Sequence, residues 1–402
     1  MGWATLRSNL VLFFGSFLSQ NHGSPAGHGG CEAGNEHRNG MRILVVALAG
    51  IGDCLIATPL IHELRVNHPE AVIDAFVFWP GSKDLLEGNP HLNTVHQKNL
   101  LKVGRIQTVK YLWELRKHRY DIVINAHPQG PIHYRIAARI IGAPIRLSHW
   151  YECCSPLDHC LVNRVLPQDY SVHSIENNLR MLPLLGKKAQ LSAHDFEIFL
   201  KPEEQRWAEV FVATSQLAGR RRLGLHVGSG GTKNLALKRW PLANYIELLR
   251  QLIKTQPGLV VVLFGGPQEA ADHAEIARVL SGGLILAPPT PSLRHAAALM
   301  KHCDAFLSVD TALMHVAAAM KVPNQIVIEA PTLNPTNLPW RTRYRVIRNP
   351  GINGRNLEYY RYDGGPIRGS REELLRLMAS IKVADVLPVV VEALADKHLV
   401  NG

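Results

Sequence analysis

The amino-acid sequence predicts an α/β protein with two domains of parallel βαβ units. Two observations carry this prediction. Aliphatic runs typical of buried strands alternate repeatedly with segments of helical periodicity, which is the pattern of strands joined by crossover helices. A chain of 402 residues is also long for one hydrophobic core and suits two of ordinary size.

The first half holds three aliphatic runs, each followed by a helical pattern. We predict strands at 42–48, 72–78 and 121–126 and helices at 53–67, 106–118 and 132–141. A helix from His173 to Leu185 closes this half, and Gly186 to Ala193 form a linker. We therefore place the first domain at residues 41–190.

The second half begins with a polar helix at 203–217, and we place the second domain at 191–382. Its strands are predicted at 223–228, 259–264 and 305–309. A helix from Leu242 to Lys254 has Pro241 in its first turn, where proline is tolerated. Two terminal helices are predicted at 370–380 and 383–395.

The segment Asp310-Thr311-Ala312-Leu313-Met314-His315 follows the third of these strands and opens an alanine-rich helical pattern. A helix that starts where a strand ends directs unpaired backbone N–H groups and the positive end of its dipole at the sheet edge. Such an end suits a phosphate group. Asp310 and His315 would lie near this helix end, where one could bind a hydroxyl and the other a diphosphate. The alternative is a plain N-cap formed by Thr311 or Asp310.

Two further strand ends in this half carry small or polar residues. The strand at 223–228 leads into Ser229-Gly230-Gly231-Thr232-Lys233 and then into Lys238-Arg239-Trp240-Pro241. The strand at 259–264 leads into Gly265-Gly266-Pro267-Gln268-Glu269. Because open α/β folds bind ligands at the carboxyl ends of their strands, the three ends together predict a ligand site.

In the first half, the run 42–48 ends in the turn Ala49-Gly50-Ile51-Gly52-Asp53. This turn is similar to a dinucleotide-binding fingerprint but lacks its full glycine spacing, which disfavours a nicotinamide oxidoreductase. Such an enzyme would also need an acidic residue after the second strand, whereas Asp74 lies inside it. Asp53 is either an N-cap or a catalytic group, and its position alone leaves both open.

Four separated motifs stand out along the chain. They are Gly-Ile-Gly-Asp-Cys-Leu-Ile-Ala-Thr-Pro (50–59), Lys-Arg-Trp-Pro (238–241), Phe-Gly-Gly-Pro-Gln-Glu (264–269) and Asp-Thr-Ala-Leu-Met-His (310–315). In order and spacing they resemble the motifs of the ADP-heptose:lipopolysaccharide heptosyltransferases, glycosyltransferase family 9. The resemblance covers about residues 41–347. The chain departs from the family pattern at Ala312 and Ala330, where glycine is usual, and residues 354–369 match no motif of the family.

The resemblance implies a GT-B fold, in which two Rossmann-like domains face each other. The first domain would bind the acceptor and the second the nucleotide sugar. In such folds the last helix, here within 383–402, commonly crosses back to the first domain. The implied activity is transfer of a heptose or related sugar from an ADP-sugar to a lipopolysaccharide core or similar glycan.

The mechanism that fits is inverting transfer by direct displacement. The acceptor hydroxyl must lose a proton as it attacks, and we expect Asp53 to be the general base. Lys238 and the N–H groups of Thr311 and Ala312 would stabilise the leaving diphosphate. The sequence has no Asp-X-Asp motif at these sites, so we expect no metal, and we expect no cofactor.

Other residues are expected to bind the donor or the acceptor. Glu269 would hold the ribose or the base, Asp310 the sugar hydroxyls, and His315 would face the phosphates. The remaining predicted substrate-binding residues are Gly52, Thr58, Ser229 and Gly230.

The net charge of +11 and the pI near 9.5 predict anionic partners. An ADP-sugar and an anionic glycolipid both fit. Nucleic acid fits worst, because the basic residues are scattered and no nucleic-acid-binding signature accompanies them. Four arginines of the first half are candidates for an acidic acceptor, although solvated helix faces explain each singly: Arg135, Arg139, Arg146 and Arg180.

The first 40 residues differ from the rest of the chain. Leu10 to Leu18 are apolar but too few to span a bilayer, and 22–40 have the composition of a disordered segment. We interpret 1–40 as a dispensable extension, with a peripheral membrane anchor as the alternative. The predicted location is the cytoplasm, with peripheral contact at the cytoplasmic face of the inner membrane.

The six cysteines do not form a disulfide framework in a chain of this size. Cys153 and Cys154, with His159 and Cys160 nearby, allow a metal site, but free thiols fit better because two well-spaced cysteine pairs are missing. His127 and His133 are expected near the cleft, where either could contact the acceptor, although a surface position without such a contact is favoured.

Two other functions share the predicted donor cleft. A non-transferring GT-B enzyme, such as a nucleotide-sugar epimerase, would need acid and base groups but no glycolipid acceptor. A catalytically inactive sugar-nucleotide-binding protein would keep the fold and lose Asp53 or Lys238, and both are present.

Overall fold

The computed structural model describes residues 40–215, 217–229, 235–281, 283–331, 335–352 and 370–395. These residues form two parallel sheets of six strands each. The first sheet consists of β1 (Arg42–Val46), β2 (Val72–Val77), β3 (Thr94–Gln97), β4 (Ile122–Asn125), β5 (Ile145–Trp150) and β6 (Arg164–Pro167). The second consists of β7 (Arg222–Leu225), β8 (Val260–Leu263), β9 (Leu284–Leu286), β10 (Ala305–Val309), β11 (Asn324–Ile328) and β12 (Arg343–Ile347).

Both sheets have the same strand order. The first runs β3-β2-β1-β4-β5-β6, and the second, counted from its own first strand, repeats this order as β9-β8-β7-β10-β11-β12. The order reverses between β1 and β4 in one sheet and between β7 and β10 in the other. Open parallel sheets bind ligands at such switch points, so the fold marks one ligand crevice in each half.

Helices cover the faces of both sheets. In the first half they are α1 (Ile51–Ile56), α2 (Thr58–Asn67), α3 (Pro80–Leu86), α4 (Arg105–Lys117), α5 (Ile132–Ile141) and α6 (Ser174–Leu179). In the second half they are α7 (Pro202–Thr214), α8 (Leu242–Thr255), α9 (Ala270–Val279), α10 (Leu293–Met300), α11 (Ala312–Ala319), α12 (Arg371–Ser380) and α13 (Val383–Ala395). Strand residues such as Ile43, Val45 and Leu307 are fully buried between these layers.

Two predicted helices are shorter or divided in the structure. The helix predicted at 53–67 is two helices, α1 and α2, separated at Ala57, because Pro59 in the first turn of α2 lacks the N–H that a continuous helix would need. The helix predicted at 173–185 ends at Leu179. Leu182–Leu185 then form a 3-10 turn that contains Pro183.

Three strands of the first sheet were not predicted. β3 and β6 are short edge strands with partly exposed side chains, and β5 carries polar residues among its apolar ones. Their sequences therefore lack the aliphatic run that identifies β1, β2 and β4.

The expectation that the last helix crosses back to the first domain is wrong for residues 383–395. The apolar face of α13, with Val386, Val390 and Leu394, packs in the core of the second half. The side chain of Asn324 on β11 also donates a hydrogen bond of 3.0 Å to the carbonyl of Ala393. The second sheet therefore holds this helix by apolar burial.

The two halves are tied together by buried polar contacts. A carboxylate oxygen of Asp84 on α3 accepts the backbone N–H of Leu293 at 2.7 Å, at the start of α10. Arg294 is buried, pairs with Glu204 of α7 at 2.7 Å and donates to the carbonyl of Glu87. These bonds fix the first half against the second, because a buried guanidinium must keep its partners.

Several predictions fall on residues that are not described. The interpretations of 1–39 and of 354–369, and the predicted contact of Gly230, lie outside the described residues. Within the described ranges, none of the helices has the length and apolar character needed to pass through a bilayer.

Candidate functional site

The first turns of α1 and α11 pack against each other. A methyl group placed on Gly52 would lie 2.6 Å from Cδ2 of His315 and 3.3 Å from Cα of Ala312. Only glycine therefore allows this approach. Because α1 follows β1 and α11 follows β10, the contact brings the switch points of the two sheets to one place.

Asp53 is the third residue of α1. The helix begins at Ile51, with Gly50 as its N-cap, so the alternative that Asp53 is the N-cap is wrong. A methyl group on Gly50 would lie 2.7 Å from Oδ2 of Asp53. Glycine at this position leaves room for the half-buried carboxylate beside Gly52.

Two polar side chains of the first half, Tyr134 and His127, are buried and neutral. Burial, and next the charge of Asp53, raise the pKa of Tyr134 on α5, so this phenol stays protonated at neutral pH. After β4, His127 is buried, and burial keeps its pKa well below the usual value. The prediction of a surface position for His127 is therefore wrong. Its Nδ1 lies 3.0 Å from the hydroxyl of Tyr151, which also accepts the N–H of Gln129 at 2.9 Å.

Lys238 and Asp310 are brought together in the second half. Lys238 lies in the 3-10 turn Leu235–Lys238, and its Nζ is 2.7 Å from Oδ2 of Asp310 at the end of β10. The Lys238 side chain is almost fully buried. Two residues separated by 72 positions in the sequence thus form a charge pair beside the start of α11.

Thr311 and His226 form a second contact between strand ends. Thr311 occupies the N-cap position of α11, but its side chain makes no capping bond. Its hydroxyl lies 3.2 Å from Nδ1 of His226, which follows β7. Burial lowers the pKa of His226 to about 3, so the imidazole is neutral. The plain N-cap alternative therefore does not describe Thr311, because its hydroxyl joins β7 to β10.

His315 is buried in the first turns of α11. Burial is the main cause that lowers its pKa to about 4. Its ring meets Phe196 edge to face, with centroids 5.6 Å apart. Nδ1 of His315 has no hydrogen-bond partner among the described residues, so a buried polar atom remains for a ligand to satisfy.

Glu269 is held by protein groups after β8. Its carboxylate accepts Arg239 at 2.9 Å and the backbone N–H of Gly266 at 2.9 Å. A methyl group on Gly228 would lie 2.3 Å from Oε1 of Glu269. Glu269 therefore organises the loops after β7 and β8, and its predicted contact with ribose or base remains a prediction.

The structure does not support a substrate contact for Thr58. Its side chain is fully buried. The hydroxyl donates to the carbonyl of Leu55 at 2.7 Å and accepts the N–H of Glu197 at 3.1 Å. Thr58 thus anchors the linker, which runs without helix or strand from 187 to 201. Ser229 is buried at the end of the described part of its loop.

Two of the four arginines proposed for the acceptor, Arg135 and Arg146, are bound to protein groups. Arg135 is buried and paired with Asp158, and it donates to the carbonyl of Gly130 at 2.8 Å. Arg146 donates to the carbonyl of Leu161 at 2.8 Å. Arg135 therefore fixes the loop after β4 and does not face an acceptor.

Two histidine and carboxylate groupings lie outside the predicted site. The three possible ligand atoms of each lie within 4.8 Å of one another, in His62, His91 and Glu197 and in Asp74, His96 and His118. Their members already bind protein groups: Nδ1 of His62 lies 2.6 Å from Glu197, and the Tyr120 hydroxyl donates to Asp74 at 2.6 Å. The described cysteines, which include Cys153, Cys154 and Cys160, are free thiols.

Sequence reasoning missed His226, Arg239 as the partner of Glu269, and the group of Tyr134 and Tyr151. His226 was visible as a polar residue at the end of an apolar run. The two tyrosines gave no such signal, because Tyr134 lies within α5 and Tyr151 follows β5, and both elements mix apolar and polar residues.

Comparison with known proteins agrees with this fold. Residues 109–360 match the family model of glycosyltransferase family 9 (heptosyltransferase). Lipopolysaccharide heptosyltransferase 2 of Salmonella typhimurium is 27% identical over 333 residues, which is 77% of this chain and 88% of that protein.

Solved structures have the same fold. E. coli ADP-heptose lps heptosyltransferase II has a TM-score of 0.64 at 22% identity and covers 88% of this chain and 99% of its own. E. coli heptosyltransferase WaaC with ADP-2-deoxy-2-fluoro heptose has a TM-score of 0.63 at 20% identity, with coverage of 88% and 99%. The predicted GT-B fold is confirmed.

Proposed function

Because this chain belongs to glycosyltransferase family 9, we propose that it transfers a heptose from ADP-heptose to a sugar of a lipopolysaccharide core. We assign the acceptor to the first domain, 41–190, and the donor to the second, 191–382. The observation that carries the proposal is the contact of Gly52 with His315 and Ala312, which sets Asp53 beside the start of α11.

In this proposal Asp53 removes the proton from the acceptor hydroxyl. Asp53 lies in the first turn of α1 on the first half, while the proposed donor groups lie on the second half. Attack from the side opposite the leaving diphosphate inverts the anomeric carbon. The base and the leaving-group site then have to lie on opposite sides of the anomeric carbon, and we accordingly assign them to opposite halves.

The leaving ADP gathers negative charge on its diphosphate. The N–H groups at the start of α11 and the ammonium of Lys238 oppose this charge, and Asp310 holds Lys238 in place through the bond of 2.7 Å. Neutral His315 can add one hydrogen bond to a phosphate oxygen. These groups replace the charge that a metal would supply, so we propose a metal-independent reaction.

The nature of the substrates is proposed from the relatives. The name of the Salmonella relative refers to lipopolysaccharide, and one solved neighbour holds an ADP-heptose analogue. The basic charge of this chain suits both an ADP-sugar and a phosphorylated core. We place the reaction at the cytoplasmic face of the inner membrane, where a lipid-anchored acceptor would be met.

A transfer assay tests the proposal. ADP-heptose and a lipid A core acceptor are mixed with the protein, and ADP and the extended acceptor are measured with and without a chelator. We expect equal amounts of both products and no loss of rate with the chelator. Loss of activity that magnesium or manganese restores would refute metal independence. Donor consumption without an extended acceptor would favour the epimerase, and binding without turnover the inactive binding protein.

A further inference from the structure

One segment of the first half, residues 98–117, combines exposed apolar and basic side chains. It begins after the carboxyl end of β3 and continues through α4. β3 pairs in parallel with β2, and β2 with β1, so their carboxyl ends lie at the same edge of the sheet. The loop at 98–104 and the start of α4 therefore lie on the edge that also carries Asp53.

The apolar side chains of this segment are among the most exposed in the described residues. Ile106 is 82% exposed and Trp113 is 55% exposed. They are seven residues apart on α4, which puts them two turns apart on one helix face, with exposed Lys110 between them. The opposite face of α4, with Leu112 and Leu115, is buried, so α4 is held rigidly with this face outward.

The charge of the segment is strongly positive. It contains one acidic residue, Glu114, which is paired with Lys117 at 2.7 Å. The guanidinium carbon of Arg116 lies 5.4 Å from the ring centre of Trp113. The basic residues are all exposed, and they are Lys98, Lys102, Arg105, Lys110, Arg116 and Lys117.

Two more exposed apolar residues lie beyond the carboxyl ends of neighbouring strands. Leu157 follows β5 and is 75% exposed, and Tyr170 follows β6 and is 50% exposed. β5 and β6 lie at the other end of the same parallel sheet from β3, so exposed apolar residues follow strands at both ends of this sheet.

We propose that the exposed face of residues 98–117 docks on the anionic surface of a lipid bilayer and places the mouth of the acceptor cleft there. Single apolar anchors separated by lysine and arginine suit a headgroup layer, where tryptophan sits at the interface and cations meet anionic lipids. A protein partner would favour a continuous apolar patch instead. The proposal rests on the proposed function for its choice of acceptor, but not for the binding itself.

The binding test uses the full chain and sedimenting vesicles. One set contains phosphatidylglycerol and phosphatidylethanolamine in equal parts, and the other contains phosphatidylcholine alone. We expect the wild type to bind the anionic vesicles about tenfold more tightly, and added salt to weaken this binding. The double variant Ile106→Gln, Trp113→Gln should lose about tenfold in affinity for anionic vesicles. The triple variant Lys102→Gln, Arg105→Gln, Lys110→Gln should lose a similar amount of affinity. Its binding to anionic vesicles should also lose most of its dependence on salt.

A matched control carries the same kinds of change elsewhere. Val210 on α7 is 52% exposed and Lys254 on α8 is exposed, so the variant Val210→Gln, Lys254→Gln should bind vesicles like the wild type. Equal vesicle binding by the wild type and both segment variants, or none by the wild type, would overturn the proposal. Melting temperatures measured beside the binding show that each variant is folded.

A second assay separates this proposal from the proposed function. With a water-soluble, deacylated core acceptor, the segment variants should keep the turnover of the wild type. With the acylated form of this acceptor embedded in anionic vesicles, their turnover should fall about tenfold. Equal turnover of wild type and variants on vesicles would count against docking. An inactive wild type that still binds vesicles through this face would refute the transferase and leave the docking surface standing.

Discussion

The two halves of the molecule have the same strand order but different charges where that order reverses. In the second half, Lys238 pairs with Asp310 at 2.7 Å and Arg239 with Glu269 at 2.9 Å, and each pair includes a residue that follows a strand end. In the first half, burial keeps Tyr134 protonated, and the charge of Asp53 also raises the pKa of this phenol. Burial likewise keeps His127 unprotonated.

This difference separates two chemical tasks that one fold could serve equally well. A cation held by a neighbouring acid can oppose the charge of a diphosphate without leaving an unpaired buried charge when the site is empty. The first half contributes the Asp53 carboxylate, a group that can accept a proton from a hydroxyl. The second half thus suits the leaving group, and the first half suits proton removal.

The largest expected effect comes from Asp53→Asn. Asparagine keeps the shape of the side chain but cannot accept the proton, so turnover should fall by a factor on the order of 10² to 10⁴. Initial rates of ADP release in the transfer assay measure this loss. Donor affinity by calorimetry and the melting temperature should barely change, because the donor groups lie on the other half.

An Asp53→Asn variant with nearly full activity would show that the first half does not supply the base. Full activity together with a lower melting temperature would make Asp53 a structural residue of α1. Either result would contradict the proposal that the first half removes the proton and the second half stabilises the leaving group.

The next effect concerns the second half and the variant Lys238→Ala. Loss of a charge-assisted bond to the diphosphate is worth about 1.5–3 kcal/mol, so the dissociation constant for ADP should rise by about 10- to 100-fold. Calorimetry with ADP measures it. Lys254→Ala removes an exposed lysine of α8 and should leave the ADP affinity unchanged. An unchanged dissociation constant for ADP in Lys238→Ala would contradict the assignment of Lys238 to the diphosphate.

The contact between the halves is tested by Gly52→Ala. The added methyl group would lie 2.6 Å from the His315 ring, so α1 and α11 must separate or the ring must move. We expect the free energy of unfolding to fall by about 1–3 kcal/mol and turnover to fall with it. In Gly104→Ala the methyl group meets only the flexible end of the Gln107 side chain, at 2.6 Å. This control should keep the free energy of unfolding and the turnover of the wild type. If Gly52→Ala kept both as well, the close approach of α1 to α11 would not be needed.

The sequence was sufficient to predict the fold class and the strand ends that carry the site. Buried parallel strands such as β1 and β10 are aliphatic runs, and glycine and proline mark the turns after them. Side-chain partners were not predictable, because they come from distant segments. Thr58 meets Glu197 across 139 positions, and Glu269 meets Arg239 across 30. Local sequence patterns do not indicate such long-range hydrogen bonds.

The smallest effect comes from a buried histidine of the first half. It is measured as a change in the pH dependence of the free energy of unfolding. His149 on β5 is fully buried, and burial lowers its pKa to about 4, from about 6.5 in an unfolded chain. Between these values the unfolded state binds more protons, so this residue makes stability fall as the pH is lowered from about 6.5 to about 4, by up to about 1.4 kcal/mol per pH unit. His149→Gln can keep a donor for the carbonyl of Asn177, now 2.9 Å from Nε2, and should reduce this slope by up to one proton. Urea unfolding from pH 5 to 8 measures the slope, and above about pH 7 the two proteins should show parallel stabilities. An identical slope below about pH 6.5 would mean that burial does not keep His149 unprotonated in the folded protein.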